Sequence, residues 1–184
     1  LQMAGRRVVI VGGGEQAAQK TRLILKTEAR VEIWAPALDP ELSGLAVKGR
    51  ITHQTGPITP DTFSGTALVF IASGCPGIDM ALHALAKAGG ATVNVVDQPQ
   101  LCDAITPSIV DRDPVVVAIG TEGTAPVLAR QIKTKLEEAL EPRLGDLAAL
   151  AGRMRGAAAA RLGPRARRDL WRWVFNDTPR QLFT

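Results

Sequence analysis

The chain has 184 residues, of which 46% are hydrophobic and 22% charged, a composition typical of a folded protein rather than a disordered one. No apolar run is long enough to cross a membrane, and the two cysteines form no CxxC pair of a structural zinc site. Two unpaired thiols are typical of a reducing compartment, so we expect a cytoplasmic protein. We expect no metal site, because His53 and His83 lie far apart without nearby acidic or thiol ligands.

Positive charge is concentrated in the second part of the chain. Residues 114–184 hold 12 Lys and Arg against 7 Asp and Glu, whereas residues 1–113 hold 10 against 11. This asymmetry predicts an acidic partner for the second part, either a nucleic acid or a small polycarboxylate. We favour the polycarboxylate, and expect no nucleic acid, because no recognition-helix or RNA-binding motif accompanies the basic residues.

Strands and helices alternate through the first hundred residues. The β-branched run Arg7–Val11 predicts a strand buried on both faces, and residues 15–27 carry helical spacing. The other elements that the pattern predicts here are strands at 30–34, 51–53, 67–72 and 92–96 and a helix at 78–88. This alternation predicts an α/β fold with right-handed crossovers, a Rossmann-like doubly wound parallel sheet.

The pattern changes after residue 106. A strand is predicted at 114–119, a polar loop at 120–125, and a helix from Pro126 to about Leu140. Two Arg- and Ala-rich helices follow at 145–162 and 164–175. We therefore expect a Rossmann domain over 1–106, a strand–helix segment over 107–141, and a small helical domain over 142–184.

A glycine-rich turn follows the first predicted strand. Gly12-x-Gly14-x-x-Ala17 matches the dinucleotide fingerprint: the first glycine allows a tight turn, the second lets the backbone approach a pyrophosphate, and the small third residue lets helix and strand pack closely. The pyrophosphate would rest on the amides where the helix begins, near Glu15. We predict a dinucleotide cofactor; the alternative is a glycine-rich turn without a ligand.

The acid that usually binds the cofactor's ribose is missing. Ala35-Pro36-Ala37 stands where it is expected, Glu32 lies inside the second strand, and Asp39 comes late. This signal therefore does not choose between NAD and NADP. We favour NAD, because no arginine marks the position either.

Five segments occur in the order and spacing of one known family. They are Val9–Ala17 with Lys20, Trp34–Pro36, Val93–Cys102, Pro107–Pro114 and Gly123–Arg130. The first is common to Rossmann proteins, whereas the run from Asn94 to Arg130 is specific. On these segments the chain resembles the precorrin-2 dehydrogenase and sirohydrochlorin ferrochelatase family, the amino-terminal module of siroheme synthases.

The resemblance implies that precorrin-2 is oxidised to sirohydrochlorin with NAD, and that bifunctional members then insert ferrous iron, as a substrate, into sirohydrochlorin. It also implies a homodimer, with residues 107–141 as the dimerisation segment and a helical tail over the active site. Departures from the family at Ser73–Gly77, Asp79, Glu122 and Ala125 favour a dehydrogenase without chelatase activity as an alternative. A non-catalytic, dinucleotide-sensing regulatory module is the alternative from another class.

Asp97 is the predicted catalytic residue. It follows a buried strand at the carboxyl edge of the sheet, where open α/β proteins bind ligands, and the resemblance implies a general base. The alternative is that Asp97 orders the Gln98-Pro99 turn. The predicted cofactor-binding residues are Gly12, Gly14, Glu15, Gln16, Pro36, Ala37 and Ser73.

The predicted substrate-binding residues are Asn94, Thr121 and Thr124, with ordinary loop solvation as the alternative. Arginines of the tail are candidates for substrate carboxylates, although most surface arginines are solvated or locally paired. They are Arg153, Arg155, Arg161, Arg165, Arg167 and Arg168. We expect Trp171, Trp173 and Phe175 to pack between helices rather than to stack on a tetrapyrrole.

Overall fold

The computed structural model describes residues 2–183, which divide into two compact units between Ile105 and Thr106. The first unit is built on a parallel sheet of five strands in the order β3-β2-β1-β4-β5. These strands are β1 (Arg7–Val11), β2 (Arg30–Trp34), β3 (Thr52–Gln54), β4 (Leu68–Ile71) and β5 (Val93–Val95). The strand order reverses between β1 and β4, which leaves a crevice at their carboxyl ends. The predicted doubly wound α/β fold is confirmed.

The sheet is buried on both faces at its centre. Successive residues of β1 contribute to opposite cores: Val8 and Ile10 belong to one apolar cluster, and Val9 and Val11 to the other. All four residues of β4 are buried. A strand covered by helices on both sides needs apolar side chains at every position, which is why the uninterrupted run Arg7–Val11 predicted β1 correctly.

Four helices flank this sheet: α1 (Glu15–Ile24), α2 (Pro40–Val47), α3 (Pro60–Phe63) and α4 (Pro76–Ala88), and a 3₁₀ turn spans Pro99–Leu101. The helix α1 ends at Ile24 rather than at residue 27, and Thr27 Oγ1 donates to the carbonyl of Ile24. The sequence pattern did not predict α2, although Asp39 and Pro40 mark its start. The Asp39 carboxylate accepts from Leu42 N at 2.8 Å, a typical N-cap, with proline in the first turn.

The second unit combines a β-hairpin with four helices. Antiparallel strands β6 (Ser108–Arg112) and β7 (Val115–Ile119) are joined by the cis peptide bond Asp113-Pro114. The helices are α5 (Pro126–Ala139), α6 (Leu144–Arg161), α7 (Pro164–Asn176) and α8 (Thr178–Gln181). The sequence pattern did not predict β6, in which only Val110 is fully buried. The strand β7 and helices α5 to α7 lie where they were predicted, within a residue or two at each end.

Candidate active site

A cleft with a volume of ≈ 640 Å³ lies in the first unit at the carboxyl ends of β1, β2 and β4. Its walls are the turn after β1, the segment after β2, the loop after β3, and the start of α4. The residues that line it are Val11, Gly12, Gly13, Gly14, Trp34, Ala35, Pro36, Ala37, Thr55, Gly56, Ile58, Ser73, Ile78 and Leu82. The cleft thus brings together five predicted cofactor residues. No side chain in this set is ionisable.

The three glycines of the turn after β1 have different structural constraints. Gly12 has φ +133°, and a Cβ there would overlap the carbonyl oxygen of Ala72; a Cβ at Gly13 would overlap the carbonyl oxygen of Ala37. Gly14 has φ −101°, and a Cβ there would meet no protein atom within 4 Å. The fold therefore requires glycine at the first two positions, whereas Gly14 borders open space in the cleft.

The helix α1 begins directly after this turn. The first amides of a helix have no partner within the helix, and no side chain in the described part of the chain caps them here. They offer donors to an anion in the adjoining cleft, and the helix dipole favours negative charge there. This turn fits a pyrophosphate.

Glu15 and Gln16, the first two residues of α1, do not line the cleft with their side chains. The Glu15 carboxylate pairs with Arg22 at 3.1 Å, and Arg22 also binds Glu41. The hydrogen bond from Arg22 lowers the pKa of Glu15 below its ordinary value. The contribution of Glu15 to a cofactor would come from its backbone amide, and its role stays a prediction.

Asp97 lies two residues beyond β5, with an exposed side chain and φ +59°. Aspartate tolerates this left-handed conformation better than most residues, which gives the turn one reason for an acid here. Gln16 Nε2 donates to Asp97 Oδ2 at 3.0 Å. Within residues 2–183 this is the only hydrogen bond of the carboxylate, so the carboxylate does not bond to the backbone of its own turn, and Oδ1 has no protein partner.

Lys20 lies one turn after Gln16 on α1. Its ammonium stands 5.6 Å from the centre of the Phe70 ring, a cation–π distance. Burial lowers the pKa of Lys20, while electrostatic interactions with Asp97 and Cys102 act in the opposite direction. A half-buried positive charge therefore interacts with the Asp97 carboxylate.

A buried acid supports the other wall of the cleft. Asp79, on α4, is only 4% exposed, and its Oδ1 accepts from Ser73 Oγ at 2.6 Å and from Ser73 N at 3.1 Å. Gln98 Nε2 donates to the other oxygen at 3.4 Å. Asp79 therefore fixes Ser73, which lines the cleft, and links it to the residue after Asp97. No local sequence pattern marks a buried acid, so this role of Asp79 was not predicted.

The NH2 group of Asn94, on β5, has its partners within the first unit, whereas its buried Oδ1 has no hydrogen-bond partner in the described residues. Asn94 is 6% exposed, and its Nδ2 donates to the carbonyl of Ala104 at 2.8 Å and contacts Cys102 Sγ. This geometry gives Asn94 a structural role, and substrate binding by it stays a prediction. Thr121 and Thr124 lie together in the second unit, where Thr124 Oγ1 donates to the carbonyl of Thr121 at 2.6 Å. Their contact with a substrate also stays a prediction.

Three further features concern residues 2–183 as a whole. No helix among them has the length and apolar character needed to cross a membrane. No group of three or more His, Cys, Asp or Glu side chains among them is arranged to hold a metal ion. The two cysteines form no disulfide: Cys75 is exposed, and Cys102 is half-buried near Val95.

Comparisons with known proteins agree with a nucleotide-binding cleft in the first unit. Residues 1–108 match the family described as putative NAD(P)-binding, and residues 143–184 match the sirohaem synthase dimerisation region. Siroheme synthase 1 of Aeromonas hydrophila subsp. hydrophila is 41% identical over 95% of this chain and 38% of its own length. The siroheme synthase of Nitrosomonas europaea is 39% identical over 93% of this chain and 36% of its own length. The chain thus spans less than two-fifths of the curated relatives it matches.

A solved structure described as "SirC, precorrin-2 dehydrogenase" has the same fold. It aligns with a TM-score of 0.77 and 20% sequence identity, covering 96% of this chain and 88% of the other. At this identity the likeness concerns the fold alone.

Proposed function

Because the chain belongs to the precorrin-2 dehydrogenase and sirohydrochlorin ferrochelatase family, we propose that it oxidises precorrin-2 to sirohydrochlorin with NAD as the hydride acceptor. One observation carries this proposal: an uncharged cleft with a phosphate-binding turn shares its sheet edge with the exposed carboxylate of Asp97. Hydrogen bonds through Asp79 connect Ser73, in the cleft wall, to Gln98, the residue after Asp97.

The lining of the cleft favours NAD over NADP. The segment Ala35-Pro36-Ala37, where the ribose is expected, offers no acid, and the Asp39 carboxylate is used as the N-cap of α2, so the choice depends on whether a cation is present. No cation lines the cleft either. The extra phosphate of NADP would therefore lose its hydration without gaining a charged partner, which is unfavourable.

Residues of the chain itself would accept the proton that the substrate releases. Bound nicotinamide supplies a two-electron acceptor for the hydride, and oxidation also releases one proton from the substrate. Asp97 would accept that proton on the oxygen that Gln16 does not bind, while Gln16 holds the other oxygen. The half-buried ammonium of Lys20 would place a positive charge near this carboxylate.

Further parts of the proposal concern iron, assembly and location. Ferrous iron would be a substrate for insertion into sirohydrochlorin, with Asp97 accepting pyrrole protons; a dehydrogenase without this activity is the alternative. The match to a dimerisation region over residues 143–184 supports a homodimer. The two free cysteines support a cytoplasmic location.

The decisive experiment is anaerobic incubation of the protein with precorrin-2 and NAD, following sirohydrochlorin and NADH by absorbance. Asparagine tolerates the left-handed backbone of residue 97, so Asp97→Asn keeps the fold while it removes the base. We expect kcat to fall by roughly 10²- to 10⁴-fold with NAD affinity unchanged. Asp61→Asn, which changes an exposed acid of the same unit, is the matched control and should keep the wild-type rate.

Three results would count against this assignment or part of it. An unchanged rate in Asp97→Asn removes that residue from the mechanism. Binding of NAD without conversion of precorrin-2 favours the regulatory, dinucleotide-sensing module. For the second activity, ferrous iron is added to sirohydrochlorin, and a rate equal to that of a protein-free control leaves a dehydrogenase only.

A further inference from the structure

A groove runs between α6 and α7 in the second unit. Its narrower part, ≈ 270 Å³, lies between the aromatic rings of Trp171 and Phe175 and small residues of α6. Its wider part, ≈ 600 Å³, is lined by Arg155, Arg167 and Arg168. Arg155 and Trp171 line both parts, so the two form one continuous groove. Together their volumes fall within the range of small-molecule sites, roughly 300–1,000 Å³.

The three guanidinium groups of this groove have no acidic partner. Neither Arg155, Arg167 nor Arg168 forms an ion pair or a side-chain hydrogen bond with any residue of the described chain. Other arginines of the same unit do, because Arg172 binds Asp169 and Arg180 binds Glu141. Three like charges along one groove repel each other, and a bound anion relieves that repulsion.

The shape of the groove suits a flat ligand. Its wall on α6 is made of Ala148, Ala151, Gly152 and Ala159, whose small side chains leave a smooth surface. The opposite wall presents the ring of Trp171, which is half-buried and was expected only to pack between helices. Trp173, also expected to pack, is 50% exposed and lies outside the groove.

We propose that the α6–α7 groove binds a tetrapyrrole macrocycle that carries several carboxylates. Guanidinium groups bind carboxylates through paired hydrogen bonds and also stack on flat rings, so Arg155, Arg167 and Arg168 would hold the peripheral carboxylates while Trp171 contacts the ring. The choice of a macrocycle rests on the proposed function, whose substrate bears acetate and propionate groups around a tetrapyrrole. A nucleic acid fits less well, because the cations converge on one short groove instead of following an extended track.

The test uses the full chain and uroporphyrin, a porphyrin with acetate and propionate groups, followed by the anisotropy of the porphyrin's own fluorescence. The groove variant is Arg155→Gln/Arg167→Gln/Arg168→Gln. The matched control is Arg153→Gln/Arg161→Gln/Arg165→Gln, which removes the same net charge from exposed arginines outside the groove. Because each exposed ion pair contributes about two- to fivefold, we expect the groove variant to weaken binding about tenfold or more and the control less than about twofold.

The aromatic wall is tested separately by Trp171→Leu, with Trp173→Leu as its control. We expect Trp171→Leu to weaken binding by about two- to tenfold, the range of an aromatic stacking contact, and Trp173→Leu to leave it unchanged. Thermal unfolding of each variant shows whether the helices remain folded. In the oxidation assay, the groove variant should raise the KM for precorrin-2 more than it lowers kcat.

Several results would overturn the proposal that this groove binds the macrocycle. These are equal losses in both arginine variants, no binding of uroporphyrin by the wild type, or tight binding of a single-stranded oligonucleotide that alone depends on the groove arginines. Dissociation of a dimer in the groove variant at unchanged uroporphyrin affinity would make the groove a contact between copies of the chain. The failure of the proposed function is distinguishable: uroporphyrin then binds through the groove, but the wild type does not oxidise precorrin-2.

Discussion

The glycine turn gives the sharpest prediction, because two glycines separated by one residue should respond to alanine in opposite ways. In Gly12→Ala, the φ of +133° costs about 1–3 kcal/mol for a residue with a side chain. Overlap of the new Cβ with the carbonyl oxygen of Ala72 costs about 1–3 kcal/mol more. The free energy of unfolding should therefore fall by roughly 2–6 kcal/mol.

In Gly14→Ala neither cost applies. The φ of −101° suits any residue, and no protein atom lies within 4 Å of the new Cβ. Alanine restricts the unfolded chain, which contributes about 0.4–1 kcal/mol, but it is a poorer N-cap than glycine, so stability should change by less than about 1 kcal/mol. The methyl group would instead occupy the cleft where the pyrophosphate approaches the backbone. Loss of one hydrogen bond to a charged group costs about 1.5–3 kcal/mol, so we expect NAD to bind roughly 10- to 100-fold more weakly.

Urea unfolding followed by circular dichroism measures the first effect, and isothermal titration with NAD measures the second. Gly44→Ala on α2 is the control, because its Cβ also meets no atom within 4 Å and it lies outside the cleft. It should gain up to about 1 kcal/mol of stability from helix propensity and bind NAD normally. Wild-type NAD affinity in Gly14→Ala would show that the pyrophosphate does not use this turn. Wild-type stability in Gly12→Ala would refute the geometry of the turn itself.

Three further predictions concern other contacts. Asp79→Asn keeps an acceptor for Ser73 and should retain NAD binding, whereas Asp79→Leu leaves the Ser73 amide unpaired and should cost about 1–3 kcal/mol of stability; equal unfolding curves would contradict this. The paired bonds of Arg7 lower the pKa of Glu32 below its ordinary 4.5, so the stabilisation is complete above that pH and disappears as pH falls through the lowered value. Glu32→Gln should therefore cost about 1–2 kcal/mol at neutral pH and almost nothing in strong acid, and a loss independent of pH would disprove the linkage. Gly145→Ala should destabilise the second unit by about 1–3 kcal/mol in thermal unfolding, because its Cβ would overlap two carbonyl oxygens of the β6–β7 hairpin; a wild-type transition would exclude that overlap.

The sequence predicted the elements whose burial follows a simple period. The strands β1 and β2 begin and end at the predicted residues, because uninterrupted or alternating apolar residues occur only where a strand is covered. The short helix α2 and the strand β6 were not predicted. The helix α2 buries only Leu42 and β6 only Val110, so neither segment carries enough apolar periodicity to show its structure.

Residues that line the cleft were predicted where backbone geometry determines their position. Gly12 and Gly14 follow β1, Pro36 and Ala37 follow β2, and Ser73 follows β4; all line the cleft. Other lining residues, such as Thr55 and Ile58 of the loop after β3, were not predicted, because nothing local distinguishes them from ordinary loop residues. The same holds for Asp79 and for the unpaired state of the groove arginines, which depend on contacts between distant parts of the chain.

The absence of titratable side chains from the cleft wall has a consequence for kinetic work on this protein. Over the pH range in which the nucleotide keeps one ionisation state, the fraction of clefts that hold it should depend on the nucleotide concentration and hardly on pH. A turnover curve measured against pH then reports proton transfer by the reacting groups, without correction for a cofactor that leaves the protein.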